Sequence, residues 1–291
     1  MKGVYLDARF DCIICFQRQV MRAVSYINAD ENVKESILRE VMKRLLELDW
    51  SLKPIEIANE VHKIVRTITK VKDPYEKIKK DSNNLVLKLY PKLVSIVEQS
   101  ADCLKAAIKL AIAGNIMDFG AFNDFNLHET INEVLRKQFL FDDYEIFKVK
   151  LKDAKSLLFF SDNSGEIGFD KLLIKNMLKE KFFKKIAFVV KGGPFMNDAT
   201  LEDALYLGLN EFPNIEFLTI SNGEKLTGPK ISSQAVSKWV KTYDLVISKG
   251  QANYEGLSEQ TGIFFMLLVK CPTVTKDIGA KINDAVFKYN S

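Results

Sequence analysis

Histidine is almost missing from this chain: 291 residues contain two, His62 and His128, in stretches that read as ordinary helix. Nucleophilic catalysis by a serine–histidine or cysteine–histidine pair is therefore poorly supported. Cysteine is scarce as well. Of Cys12, Cys15, Cys103 and Cys271, only Cys12-Ile-Ile-Cys15 has suggestive spacing. No second CxxC or CxxH completes a zinc site, and no βαβ pattern precedes the pair as a thioredoxin-type motif requires. On a helix, positions i and i+3 share a face, so three readings stand: packing in a core, metal or redox chemistry, and a regulatory disulfide. The formal net charge is only +4, with no lysine–arginine block or aromatic-basic repeat, which argues against a dedicated nucleic-acid binder. The longest apolar run, Ile263–Val269, is far short of the roughly 20 residues that span a bilayer. The opening MKGVYLDARFDC carries acids and has no apolar core, so no secretory signal is expected. The expected location is the cytoplasm. Two nucleotide signatures are missing too: no GxxxxGK[ST] marks a P-loop, and no GxGxxG marks a dinucleotide fold.

What is present is an ordinary globular composition, 47% hydrophobic and 27% charged, in two rhythms. Up to about residue 150 the spacing predicts helices. Cys12–Asn28 carries Ile13, Phe16, Val20 and Val24, and Asp30–Leu48 carries Val33, Ile37, Val41 and Leu45. Pro54 opens Ile55–Thr69, a place where proline is tolerated. Asp73-Pro74 opens a segment towards Leu89-Tyr90-Pro91, where Pro91 should start, kink or end a helix. Leu93–Gln99 and Ala101–Ala113 continue the pattern. Gly114-Asn115-Ile116-Met117-Asp118-Phe119-Gly120 then interrupts it, as a helix–loop junction or a loop reaching a cleft.

From about residue 155 strands and helices alternate. Strands are predicted at Ser156–Phe160, Ile186–Val190, Glu216–Ile220, Asp244–Ser248 and Pro272–Thr275. Helices are predicted at Gly168–Phe182, Asp198–Leu209, Ser232–Lys241 and Gly262–Lys270. Alternation of this kind implies βαβ units and a parallel sheet, with every strand's downstream loop on one edge. The expected architecture is α/β: an all-helical domain (1–152) packed on a Rossmann-like three-layer domain (153–291).

The stretch Leu157–Asp170, LLFFSDNSGEIGFD, is the centre of this reading. A short apolar run ends in a polar cluster, and helical spacing follows. Asp162 and Asn163 should therefore project from a strand's C-terminal edge beside a helix N-terminus, where open α/β sheets bind ligands. They either cap the helix or offer hard oxygen ligands to a cation. After the second strand, Lys191-Gly192-Gly193-Pro194 leads to Asn197-Asp198, and Asp198 either caps the next helix or faces Asp162. After the fourth, Ser248-Lys249-Gly250-Gln251 leads to Asn253. A lysine ending a buried strand should meet an anion such as phosphate near the Gly250 N–H, or snorkel to solvent. Oxygen ligands and a lysine suit phosphoryl transfer to water. A phospho-aspartyl mechanism wants a second acid two residues beyond Asp162, where Ser164 stands.

Taken together, Asp162-Asn163-Ser164-Gly165-Glu166, Lys191-Gly192-Gly193-Pro194 with Asn197-Asp198-Ala199-Thr200, and Ser248-Lys249-Gly250-Gln251 with Asn253 resemble the damage-control phosphatases. Cys12-Ile-Ile-Cys15, Asp73-Pro74-Tyr75, Leu89-Tyr90-Pro91 and the Gly114–Gly120 segment resemble that family's CxxC-bearing prokaryotic and archaeal branch. The resemblance implies a metal-dependent phosphatase for small phosphorylated metabolites, sugar phosphates or damaged ones, that uses manganese, cobalt, nickel or magnesium. It implies that Asp162, Asn163 and Asp198 hold the metal and that Lys249 contacts the substrate phosphate. Glu166, Gly250 and Asn253 belong to the same signature, and Asn115 and Asp118 line the cleft. No nucleic-acid or membrane partner is expected. Two competing readings are an S-adenosylmethionine-dependent methyltransferase and a non-catalytic nucleotide- or metal-binding module.

Overall fold

The computed structural model describes residues 10–114, 131, 133–221 and 227–291. Three helices open it: α1 (Phe10–Tyr26), α2 (Glu31–Glu47) and α3 (Pro54–Thr69). Each carries one apolar stripe: Phe16, Val20 and Val24; Ile37, Val41 and Leu45; Ile57, Val61 and Val65. The stripes meet in a common core, which also takes in Tyr75 and Phe195. Asp30 caps α2 by accepting from the Val33 N–H at 2.9 Å, and Pro54 opens α3, where its missing N–H costs nothing.

Helix α4 (Glu76–Glu98) runs straight through Pro91 rather than starting or ending there. Leu89, Leu93 and Val97 are buried on one side of it. Burying a side chain of that kind gains roughly 1.5–3 kcal/mol, which together outweighs the roughly 3 kcal/mol an internal proline costs. Helix α5 (Cys103–Ala113), capped by Asp102, is buried on most sides. Both helices share their core with one face of the sheet.

The sheet has seven strands: β1 (Phe141–Asp142), β2 (Ser156–Phe160), β3 (Lys185–Lys191), β4 (Ile215–Ile220), β5 (Leu245–Lys249), β6 (Ile263–Leu268) and β7 (Ala285–Asn290). Their order is β1-β7-β6-β5-β2-β3-β4, parallel except for the antiparallel β6–β7 pair. Its helices are α6 (Tyr144–Asp153), α7 (Glu166–Glu180), α8 (Leu201–Tyr206), α9 (Gln234–Thr242), α10 (Gln251–Leu257) and α11 (Pro272–Ile278). Leu157, Phe159, Phe188, Ile247 and Phe264 face α4–α7, whereas Leu158, Phe160, Val246 and Phe265 face α9–α11. A helical N-terminal region on a mostly parallel α/β sheet is therefore the fold, as the sequence implied.

Two elements reverse the sequence reading. Gly262–Lys270, expected to be helical, is strand β6, because a six-residue apolar run carries no period that separates strand from buried helix. Pro272–Thr275, expected to be a strand, begins α11, with Pro272 in the first turn and Gly279 (φ 75°) at its C-cap. Among the described residues no helix is long and apolar enough to cross a membrane.

Candidate active site

The strand order changes direction between β2 and β5. From β2 the chain proceeds outward through β3 and β4, then returns to β5 on β2's other side. Loops leaving neighbouring strands part at such a point and open a crevice at their C-terminal ends. Asp162 leaves β2 there, Asp198 arrives on the loop from β3, and Gly250 follows β5.

The two acid-bearing loops are laced together by backbone. Ala199 N–H donates to Asp162 O at 2.8 Å, Ser164 N–H to Asn197 O at 2.9 Å, and Lys191 N–H to Ala199 O at 2.9 Å. Asn163 and Asp198 form an isolated antiparallel bridge. The expected trio Asp162, Asn163 and Asp198 is thus brought to one place. The Asn163 amide donates to Asp162 Oδ2 and to Glu166 Oε2, each at 2.9 Å.

Gly250 closes the other side. Its φ is 78°, and a Cβ there would lie 2.0 Å from Asp162 Oδ2. Only glycine lets β5 approach the carboxylate this closely. Burial, then the carboxylates of Glu166 and Asp198, push Asp162's pKa well above the ordinary aspartate range. Burial also raises Asp198, against the pull of the Lys191 ammonium. Lys191 Nζ stands 3.4 Å from Asp198 Oδ2, an oxygen that is buried without a hydrogen bond. Two crowded, buried carboxylates with raised pKa values fit a hard divalent cation. Among the described residues, no three histidine, cysteine, aspartate or glutamate side chains are gathered as a metal cage. The donor set is instead two carboxylates and an amide.

Lys249 departs from expectation. It is wholly buried, and its ammonium donates to Ala111 O (2.8 Å), Glu166 Oε1 (2.7 Å) and Asp170 Oδ1 (2.6 Å). An ammonium has three protons, and all three are taken, so neither a phosphate contact nor snorkelling describes it. Burial alone would lower its pKa, but the two carboxylates outweigh that and hold it above the ordinary lysine value. Burial raises Asp170 to about 7, against the opposing pull of Lys249. The Gly250 N–H is also spoken for, donating to Met266 O at 3.1 Å.

Asn253 is a strap rather than an open ligand. Its amide donates to Ser161 O and Lys249 O, each at 2.8 Å, tying the ends of β2 and β5. Asn115 and Asp118 lie outside the described residues. The sequence reading passed over three contributors: Lys191 as Asp198's neighbour, Asp170 beneath Lys249, and Asn83 of α4. Asp170 lies four residues after Glu166 on α7, a same-face spacing that was there to be read.

The CxxC pair on α1 makes no zinc or disulfide site among the described residues. Cys12 is buried, with Sγ 3.7 Å from Thr273 Oγ1, while Cys15 is exposed, and both thiols are free. His62 is buried in α3 beside Tyr75 and Phe195.

Comparison with known proteins identifies the family and agrees with the fold. An uncharacterized protein of Methanocaldococcus jannaschii is 32% identical, over 98% of this chain and 96% of its own. A damage-control phosphatase of Archaeoglobus fulgidus is 31% identical, over 95% of this chain and 97% of its own. The crystal structure of a DUF89 family protein from Pyrococcus horikoshii superposes with a TM-score of 0.84 at 26% identity, covering 98% of this chain and 99% of that one. The model of the damage-control phosphatase ARMT1-like domain matches residues 9–286, and the chain belongs to that family.

Proposed function

We propose that the protein is a metal-dependent phosphatase that hydrolyses phosphate esters of small metabolites. The observation that carries this reading is the meeting of the Asp162 and Asp198 loops at the Asn163–Asp198 bridge, with the Lys191 ammonium 3.4 Å from Asp198 Oδ2. Asp162, Asn163 and Asp198 would hold manganese, cobalt, nickel or magnesium, all of which accept oxygen donors. When bound, such an ion polarises a phosphoryl oxygen and lowers the pKa of water at neutral pH.

The chain's own residues do the rest. Glu166, gripped by Lys249, holds the Asn163 amide in place. Gly250, with no side chain, lets the start of α10 pack directly against the Asp162 carboxylate. Lys191 replaces Lys249 as the ammonium facing the ligand set, placed to balance charge that develops on a phosphoryl group.

The test is phosphate release from a panel of sugar, nucleotide and cofactor phosphates. Chelated protein is resupplied separately with Mg²⁺, Mn²⁺, Co²⁺ and Ni²⁺, with Asp162→Ala as control. Metal-restored release that the control lacks is the expected result. Equal release from Asp162→Ala, or none with any metal, overturns the reading.

A further inference from the structure

Helix α4 touches both acid-bearing loops through one side chain. Asn83 is 3% exposed and uses both ends of its amide. Its Oδ1 accepts from the Gly165 N–H at 2.7 Å, in the turn between Asp162–Asn163 and α7. Its Nδ2 donates to Asp203 Oδ1 at 2.7 Å. Asp203 in turn accepts from the Thr200 N–H (2.9 Å) and hydroxyl (2.7 Å), closing the start of α8 just after Asp198.

The anchorage beneath Asn83 is rigid. Lys79, one helical turn earlier on α4, sits 3.3 Å from both Asp203 Oδ2 and Asp73 Oδ2. One turn later, Val86 packs on Gly168 of α7 so closely that a Cβ there would lie 2.7 Å from it. The α4 backbone therefore cannot drift from α7. Among the described residues, Asn83 bridges the turn after Asp162–Asn163 and the helix cap after Asp198, and bonds to neither acid.

We propose that Asn83 is a positioning residue for the candidate metal centre, fixing the separation of Asp162 and Asp198 through Gly165 and Asp203. This rests on the metal-dependent reading above. Groups hydrogen-bonded directly to metal ligands change affinity by about 10- to 100-fold when removed, and Asn83, one link further out, should act at the lower end of that range. A buried amide with donor and acceptor both engaged is suited to that role, because neither half can be lost without leaving a buried partner unpaired.

The experiment uses the full chain and a swap of bond polarity. Asn83→Asp places two carboxylates face to face. Asn83→Asp with Asp203→Asn restores a donor between them, keeps an acceptor for Gly165, and leaves the net charge unchanged. Mn²⁺ affinity is measured by the electron paramagnetic resonance of the free ion, and protection of the Gly165 and Thr200 amides by hydrogen exchange without metal. The single variant should bind Mn²⁺ about tenfold more weakly and lose protection at both amides. The double variant should recover both to within a few-fold. Wild-type affinity and protection in the single variant would overturn the proposal, as would a folded double variant that recovers neither. If wild type and Asp162→Ala bind Mn²⁺ equally, the metal reading fails instead. Amide protection then still decides whether Asn83 clamps the two loops.

Discussion

Lys249 Nζ and Asp170 Oδ1 meet at 2.6 Å, with neither side chain reaching solvent. A buried pair resists the loss of one partner far more than its own net worth suggests, because the survivor stays charged and dry. Lys249→Met leaves Glu166, Asp170 and the Ala111 carbonyl without their donor. The expected loss is about 3–5 kcal/mol of unfolding free energy, read from urea denaturation. Were Lys249 instead a phosphate ligand, the variant would raise KM while stability stayed level.

Gly250→Ala tests how closely β5 approaches the carboxylate. The added methyl meets Asp162 Oδ2, and a backbone at φ 78°, ψ 167° adds strain of about 1–3 kcal/mol. The carboxylate must turn away, so phosphate release should fall about tenfold or more. Circular dichroism should stay native. Unchanged kcat/KM would show that Asp162 tolerates the displacement.

A divalent ion held by Asp162, Asn163 and Asp198 binds only the folded chain. At a hundredfold excess over Kd it should add about 2.7 kcal/mol. That corresponds to a rise of roughly 4–5 °C in melting temperature for a protein of this size. The shift should vanish with chelator and in Asp198→Asn. A shift retained in that variant would locate the ion elsewhere.

His62 supplies a pH dependence with a defined sign. Burial first, then the Arg66 charge, lower its pKa from 6.5 to about 4. Between those values the unfolded chain binds a proton that the folded chain refuses, so stability rises with pH. His62's contribution is complete above pH 6.5 and is lost as pH falls towards 4, by about 3 kcal/mol in all. The stability difference between wild type and His62→Phe should shrink by that amount across the window. A difference independent of pH would mean that His62 takes up its proton equally in the folded and the unfolded chain.

Legibility in the sequence followed physical type. Ser156–Phe160 was readable to the residue, because β-prone apolar residues ended abruptly in a polar turn. The α1–α3 stripes were readable because a one-sided helix repeats its burial. Ile263–Leu268 was not: with both faces of the strand buried, hydrophobicity loses its period. Asp162, Asn163 and Asp198 could be named because strand-end carboxylates are conspicuous. The posture of Lys249 could not, since its partners Ala111, Glu166 and Asp170 come from two other helices. Asn83 was hidden for the same reason: an amide on a helix face announces nothing until the loops it ties are in place.

The antiparallel pairing of β7 against β6 has a consequence for handling the protein. Ile263–Leu268 is an uncharged, wholly buried strand, IFFMLL, and Ala285–Asn290 supplies the hydrogen bonds along its outer side. Clipping the last few residues would bare that flank as a ready template for another chain's backbone. The danger in a shortened protein is therefore clumping, even if the crevice at the far ends of β2 and β5 were to keep its shape.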